Sequence, residues 1–379
     1  MDILGLRHQP SGVNSRFIGH GMSFAAYVQR TQEMLRQIHE WKNDGEQIIA
    51  GNSPFELLPT GNFEKGSDKP YRRGILLTHG LTDSPYQMRH LAAFFQRMGF
   101  RVMVPLLPGH GTQPGDLLKV RWKEWRKAVN FGASRLAEEV DELYLGGLSA
   151  GAALSVLQSA KDKRVCGLFL FSPAFEIDLR AKWANLHRLY SRWVPKEAWL
   201  NVMQDRDKYK YESFCKNAAA QMYSLTQALP RAGLKIPIFI AASADDVTVS
   251  ASATLGFMDR ARHEGNRLVW YATNKPDRQN IEWVNSAVPE KRILSSAHTA
   301  IVMPPEDEHY GADGDYVNCL HYYENDKPSY HACCARGPDS WLGEATEQNL
   351  RQGVVRRLTY NPHYAALEAS MQYFIEGLA

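Results

Sequence analysis

The stretch Gly147-Leu-Ser-Ala-Gly151 follows directly on the apolar run Leu143-Tyr-Leu-Gly-Gly-Leu148 and leads into the small-residue, helix-favouring segment 150–160. A serine at the tip of a strand that turns at once into a helix sits on strained backbone, with neighbours so close that glycines are needed on both sides. The pattern predicts a strand, a sharp turn with Ser149 at its apex, and a helix starting at Ala150. G-x-S-x-G alone also fits a plain turn of small residues. The strand before it and the helix after it single out Ser149 as a candidate nucleophile.

Three further pieces stand in an informative order. Upstream, Thr78-His-Gly-Leu-Thr-Asp-Ser-Pro85 follows the apolar run Gly74–Leu77. It reads as a turn after a strand, and equally as a helix start with Asp83 or Ser84 as N-cap and Pro85 in the first turn. Downstream, Ile236-Pro-Ile-Phe-Ile-Ala-Ala242 has the pattern of a buried strand and runs into Ser243-Ala-Asp-Asp-Val247, so a carboxylate lies just past a strand end. Further on, Arg292-Ile-Leu-Ser-Ser-Ala-His298-Thr-Ala-Ile-Val-Met-Pro-Pro-Glu306 sets a histidine in a loop of small residues. A lone histidine is more often structural, but with Ser149 and the carboxylate this one completes the set of serine, acid and histidine that nucleophilic acyl transfer uses.

Together with VPLLPGHGTQPGDL at 104–117 and Trp122-Lys-Glu-Trp125, these pieces resemble the serine α/β-hydrolases of the carboxylesterase and monoacylglycerol lipase type. The resemblance covers most of 74–307 and returns in a last helix at 361–378. Carried over position by position, it implies Ser149 as nucleophile, Asp245 as acid and His298 as base, with the backbone N–H groups of Leu81 and Ala150 binding the oxyanion. The departures are Ala242 where a glycine is usual, the tandem Asp245-Asp246, and long additions. What the resemblance implies is hydrolysis of carboxylic esters, monoacylglycerols or lysolipids among them, through an acyl-enzyme, with no cofactor and no metal. An acyltransferase or thioesterase would use the same three residues. A binding module of hydrolase ancestry would keep the fold without turnover.

The fold class that follows is α/β: an α/β-hydrolase fold with a mostly parallel sheet, helices on both faces and an inserted lid. Strands are expected at 74–78, 101–106, 142–148, 165–171, 236–242 and 267–272, and helices at 85–98 and 120–139. Residues 1–50 read as an N-terminal helical extension, with Phe24, Tyr27, Val28, Met34, Leu35, Ile38 and Trp41 near helical spacing. The core is expected in two parts, 51–172 and 233–303, with a C-terminal core helix at 361–379. Between the parts, 173–232 is expected to form the lid, with Trp183, Trp193 and Trp199 lining the substrate pocket. The polar stretch 273–291 and the segment 304–360 are additions, the second of unknown role. Within it, Asp313 and Asp315 lack the rest of a calcium loop and read as a turn.

At 379 residues and 44% hydrophobic, the chain is long enough for a large core. Its 44 basic and 41 acidic residues leave a net charge of +3, which implies neither nucleic acid nor an anionic surface as partner. The partner expected is a small-molecule ester or lipid-like substrate, and the oligomeric state is left open. With no signal-peptide core at Met1-Asp-Ile-Leu-Gly-Leu-Arg-His8 and no 18-residue apolar run, no stable membrane insertion and a cytoplasmic location are expected. Cys319, His321, His331, Cys333 and Cys334 cluster, but not at the spacing of a common zinc finger, so these thiols are expected to stay reduced.

Overall fold

The apolar runs become the buried stretches of strands, as at Gly74–Thr78 of one strand and Leu143–Leu148 of another. In the computed structural model, which describes residues 4–61, 63–177, 194–335 and 340–378, the chain divides into two compact units. One comprises Met1–Phe169 and Glu176–Arg231, the other Leu170–Phe175 and Ala232–Ala379. Trp183 and Trp193 lie outside the described residues.

In the first unit the strands are β1 (Phe55–Leu57), β2 (Tyr71–Thr78), β3 (Arg101–Val104), β4 (Val140–Leu148) and all but the last two residues of β5 (Val165–Phe171), in the order β1-β3-β2-β4-β5. β2 runs parallel to both β3 and β4, in register from Tyr71↔Val140 to Thr78↔Gly147. β1, which the sequence reading did not anticipate, is an antiparallel edge strand on β3. Ile75, Leu76 and Leu77 are fully buried, as befits a parallel strand covered on both faces.

Among the described residues of this unit the α-helices are α1 (Phe24–His39), α2 (Gly45–Asn52), α3 (Arg89–Arg97), α4 (Trp122–Ala137), α5 (Ala150–Ser159) and α6 (Lys216–Gln227). α4 buries Trp125, Ala128, Val129, Gly132, Ala133 and Leu136, a stripe at helical spacing, and packs on β2 and β4. α1 is capped by the Ser23 hydroxyl, which accepts the N–H of Ala26. Its Tyr27 hydroxyl donates to the Leu106 carbonyl at 2.9 Å, so the N-terminal helix is fastened to the chain leaving β3. Trp41, expected on the apolar face of this helix, lies beyond its end and is 75% exposed. A short antiparallel pair, β6 (Trp199–Asn201) and β7 (Phe214–Cys215), precedes α6.

In the second unit, β8 (Ile238–Ser243) runs parallel to β9 (Arg267–Ala272) and β9 to β10 (Glu282–Asn285), and the Ser172 N–H, within this unit, bonds the Ala241 carbonyl. β10 falls in the stretch that read as a polar addition; its side chains are only partly buried, so its pattern is weak in the sequence. The helices here are α7 (Ala251–Arg260), α8 (Leu320–Tyr323), α9 (Lys327–Cys334), α10 (Glu347–Leu350) and α11 (Tyr364–Glu376). α11 is the expected C-terminal core helix, with Leu367 and Met371 fully buried and Phe374 packed on Phe239.

The segment 304–360 has its own small scaffold, a parallel pair of β11 (Trp341–Gly343) and β12 (Val355–Arg357). Contrary to the expectation of reduced thiols, Cys319 and Cys333 form a disulfide; folding of α8 against α9 brings their Cα atoms to 6.0 Å, within bridging range. Cys166, Cys215 and Cys334 are free. Among the described residues no cluster of three His, Cys, Asp or Glu is arranged to hold a metal ion, and no helix is long and apolar enough to cross a membrane.

Candidate functional site

Ser149 stands at the joint between β4 and α5 with φ 54° and ψ −110°, a conformation an L-residue adopts only under constraint. The constraint comes from packing on β2. A Cβ added at Gly151 would lie 2.0 Å from the Thr78 carbonyl oxygen, and one at Gly147 would lie 2.6 Å from the same atom. Only glycines let the turn close this tightly. Ala150 is the first residue of α5, so its N–H is one of those a helix start leaves without an intrahelical acceptor, at the positive end of the helix dipole.

The turn His79-Gly80-Leu81 lies against this serine, since a Cβ built on Gly80 would come within 3.4 Å of Ser149 Cβ. His79 is wholly buried; its Nε2 accepts the Leu107 N–H at 3.0 Å, while Nδ1–H donates to the Gly80 carbonyl at 2.9 Å. Burial pushes its pKa down to about 4, so it is a neutral brace for the turn. The next residues are tied down from the 194–231 segment: Lys210 Nζ donates to the buried Asp83 carboxylate at 2.7 Å, and the Tyr211 N–H donates to the Thr82 carbonyl at 2.9 Å.

In the second unit, His298 Nδ1 lies 2.6 Å from Asp246 Oδ2, with both side chains almost fully buried. The other carboxylate oxygen of Asp246 accepts the N–H groups of Thr248 at 2.8 Å and Val249 at 3.1 Å. Burial would raise the Asp246 pKa, but the neighbouring imidazole and the backbone donors outweigh it, and the group is held below the usual carboxylate value. Ser172 Oγ donates to the His298 carbonyl at 2.7 Å and anchors the imidazole loop. A histidine bonded to a carboxylate through Nδ1 presents Nε2 as its basic nitrogen.

Residues 69–274, just over half of the chain, match the Hydrolase_4 family, described as serine aminopeptidase, S33. The chain belongs to this family. Ser149, Leu81, Ala150 and Asp246 fall inside the matched span, and His298 lies beyond it. The fold is accordingly the α/β-hydrolase fold, with a mostly parallel sheet flanked by helices. Among relatives, the chain is 32% identical over 104 residues to a thermostable monoacylglycerol lipase from Bacillus sp. (strain H-257), 27% of this chain and 42% of that protein. It is 31% identical over 93 residues to a carboxylesterase from Bacillus subtilis (strain 168), 24% of this chain and 36% of that protein. The chain thus spans less than half the length of these relatives. Among solved structures, one from work on the metagenome-derived lipolytic enzymes LipS and LipT aligns with a TM-score of 0.48 at 24% identity, covering 58% of this chain and 87% of the other.

One expectation is corrected in this member of the S33 family. Asp246, not Asp245, meets the imidazole. Past the end of β8 the chain turns, and the two adjacent carboxylates point apart: Asp246 folds back in an Asx turn onto Thr248 and Val249, which frees one oxygen for His298. Nothing local in the sequence separates the two aspartates, since an Asx turn needs only a backbone N–H two residues on and both have one. Trp199, expected to line the substrate pocket, packs its ring edge-on against His8, 5.1 Å between centroids, and is buried there. In the late part of the expected lid, 173–232, α6 buries Ala218, Ala220 and Leu225 and contacts α4 and α5.

Asp245 has a different consequence. Burial, with Glu344 nearby, raises its pKa from 3.8 to about 6, and Oδ2 has no hydrogen-bond partner. The folded state therefore holds a proton that the unfolded chain has already released. The penalty is absent below about pH 4, grows as pH rises and is complete above pH 6. Asp245→Asn is expected to stabilise the protein at pH 8, by about 1 kcal/mol once solvent screening of a partly exposed carboxyl is allowed for, and to leave it unchanged at pH 4. Thermal melts at the two pH values measure this; equal shifts at both would contradict the assignment.

Proposed function

We propose that this chain is a carboxylic ester hydrolase in which Ser149, His298 and Asp246 transfer an acyl group from an ester to water. The observation that carries the reading is the 2.6 Å bond between His298 Nδ1 and Asp246, which fits an imidazole held in one tautomer with Nε2 as general base. In this mechanism Nε2 takes the proton as Ser149 Oγ attacks the ester carbonyl, and the N–H groups of Leu81 and Ala150 receive the oxyanion. The imidazolium then protonates the departing alcohol, and water, activated by the same nitrogen, releases the acid. The substrates we favour have a moderately apolar acyl chain, a monoacylglycerol or lysolipid among them, in keeping with what the two Bacillus relatives are named for.

The test is a panel of p-nitrophenyl esters of graded acyl length, a monoacylglycerol, and aminoacyl p-nitroanilides, run alongside labelling by a fluorophosphonate. Acid release with water as the only acceptor and label on Ser149 are the expected results. Turnover that requires an added alcohol or amine would make it an acyltransferase. Preference for the anilides would make it a peptidase, and neither turnover nor label would leave a binding module.

A further inference from the structure

The imidazole loop is gripped from the segment 304–360. β11 and β12 pair in the register Gly343↔Arg357, so Glu344, one residue past β11, is brought beside Arg357 at the end of β12. Arg357 Nε lies 2.7 Å from Glu344 Oε1, and Nη2 donates to Oε2 at 2.9 Å. The Glu344 side chain is fully buried, and its Oε2 also accepts the backbone N–H of His298 at 3.2 Å. Arg357 Nη2 reaches in the other direction to Thr248 Oγ1 at 2.6 Å, and Thr248 donates its own N–H to Asp246. The contacts close into a ring that runs from the His298 backbone through Glu344, Arg357, Thr248 and Asp246 to the His298 imidazole.

A buried ion pair contributes little net stability, because the desolvation of two charges offsets their attraction, and an apolar pair would fill the same volume at no loss. What an apolar pair could not do is hold the His298 N–H with one charge and the Asp246 turn with the other. The planar guanidinium suits this, since the two hydrogens of Nη2 point at fixed angles, one to the carboxylate and the other to the hydroxyl.

We propose that Glu344 and Arg357 are positioning residues that set the imidazole of His298 against Asp246, and that this is the role of the 304–360 segment. The inference rests on the hydrolase reading for its kinetic consequence only. Glu344→Gln and Arg357→Met are each expected to lower kcat on p-nitrophenyl esters roughly 10–100-fold with KM within about twofold, as for small displacements of a catalytic group. Arg357→Lys, which keeps the charge without the fork, should recover part of the loss. The far-downfield proton resonance of the short His298–Asp246 bond, identified by its loss in Asp246→Asn, should disappear or move in the first two variants.

If either variant fails to fold, Thr248→Val decides, since it removes only the hydroxyl that Arg357 holds; a fall in kcat of roughly threefold or more at unchanged thermal stability supports the ring. Unchanged kcat and an unchanged resonance in the folded variants overturn the inference. A wild type that neither hydrolyses esters nor takes up fluorophosphonate overturns the hydrolase reading instead, and the resonance alone then tests the ring: its persistence in Glu344→Gln and Arg357→Met refutes it.

Discussion

Replacing Ser149 by alanine is expected to lower kcat on every ester substrate by roughly ten-thousandfold to a millionfold while the protein stays folded. The hydroxyl is the proposed nucleophile, so what survives its removal is only the catalysis that the oxyanion donors and binding supply. The backbone should be indifferent. Alanine keeps the Cβ, so the strained φ of 54° is neither relieved nor worsened, and the tightness of the turn depends on Gly147 and Gly151. The thermal melt should shift by less than about 1 kcal/mol in stability, as for the loss of one hydroxyl that leaves no sizeable cavity. Fluorophosphonate labelling and steady-state kinetics on the same folded sample measure the effect; retained turnover would remove Ser149 from the mechanism.

The second large effect separates the two adjacent aspartates. Asp246→Asn is expected to lower kcat by roughly a thousandfold to ten-thousandfold, because an amide facing Nδ1 favours the wrong imidazole tautomer and no longer balances the imidazolium. Asp245→Asn should stay within about threefold of the wild type in kcat, since in the structure Asp246 alone of the pair bonds His298. The pair of variants tests the structure directly: a larger kinetic loss for Asp245→Asn would return the acid's role to the first aspartate.

Much of the site was legible because its signals are local. The glycines around Ser149 report a backbone that must pass within contact distance of the Thr78 carbonyl, and that requirement is written in five consecutive residues. The buried strands β2, β4 and β8 were equally plain, since parallel strands covered on both faces leave an unbroken apolar run. β1 and β10 were not. One is three residues long and the other has partly exposed side chains, so neither carries a period strong enough to see.

The sequence by itself determined the order of serine, acid and histidine, the turn that presents Ser149, and membership in a class of fold. Which carboxylate serves His298 was left to the tertiary structure, because beyond a strand end the alternation of side chains lapses and hydrogen bonds to Thr248 and Val249 decide the direction of Asp246. The Cys319–Cys333 bridge and the Glu344–Arg357 pair were out of reach for a similar reason. Each joins residues separated by thirteen or fourteen positions with no periodic pattern between them, and only the packing of α8 on α9 and the register of β11 on β12 bring their side chains within bonding distance.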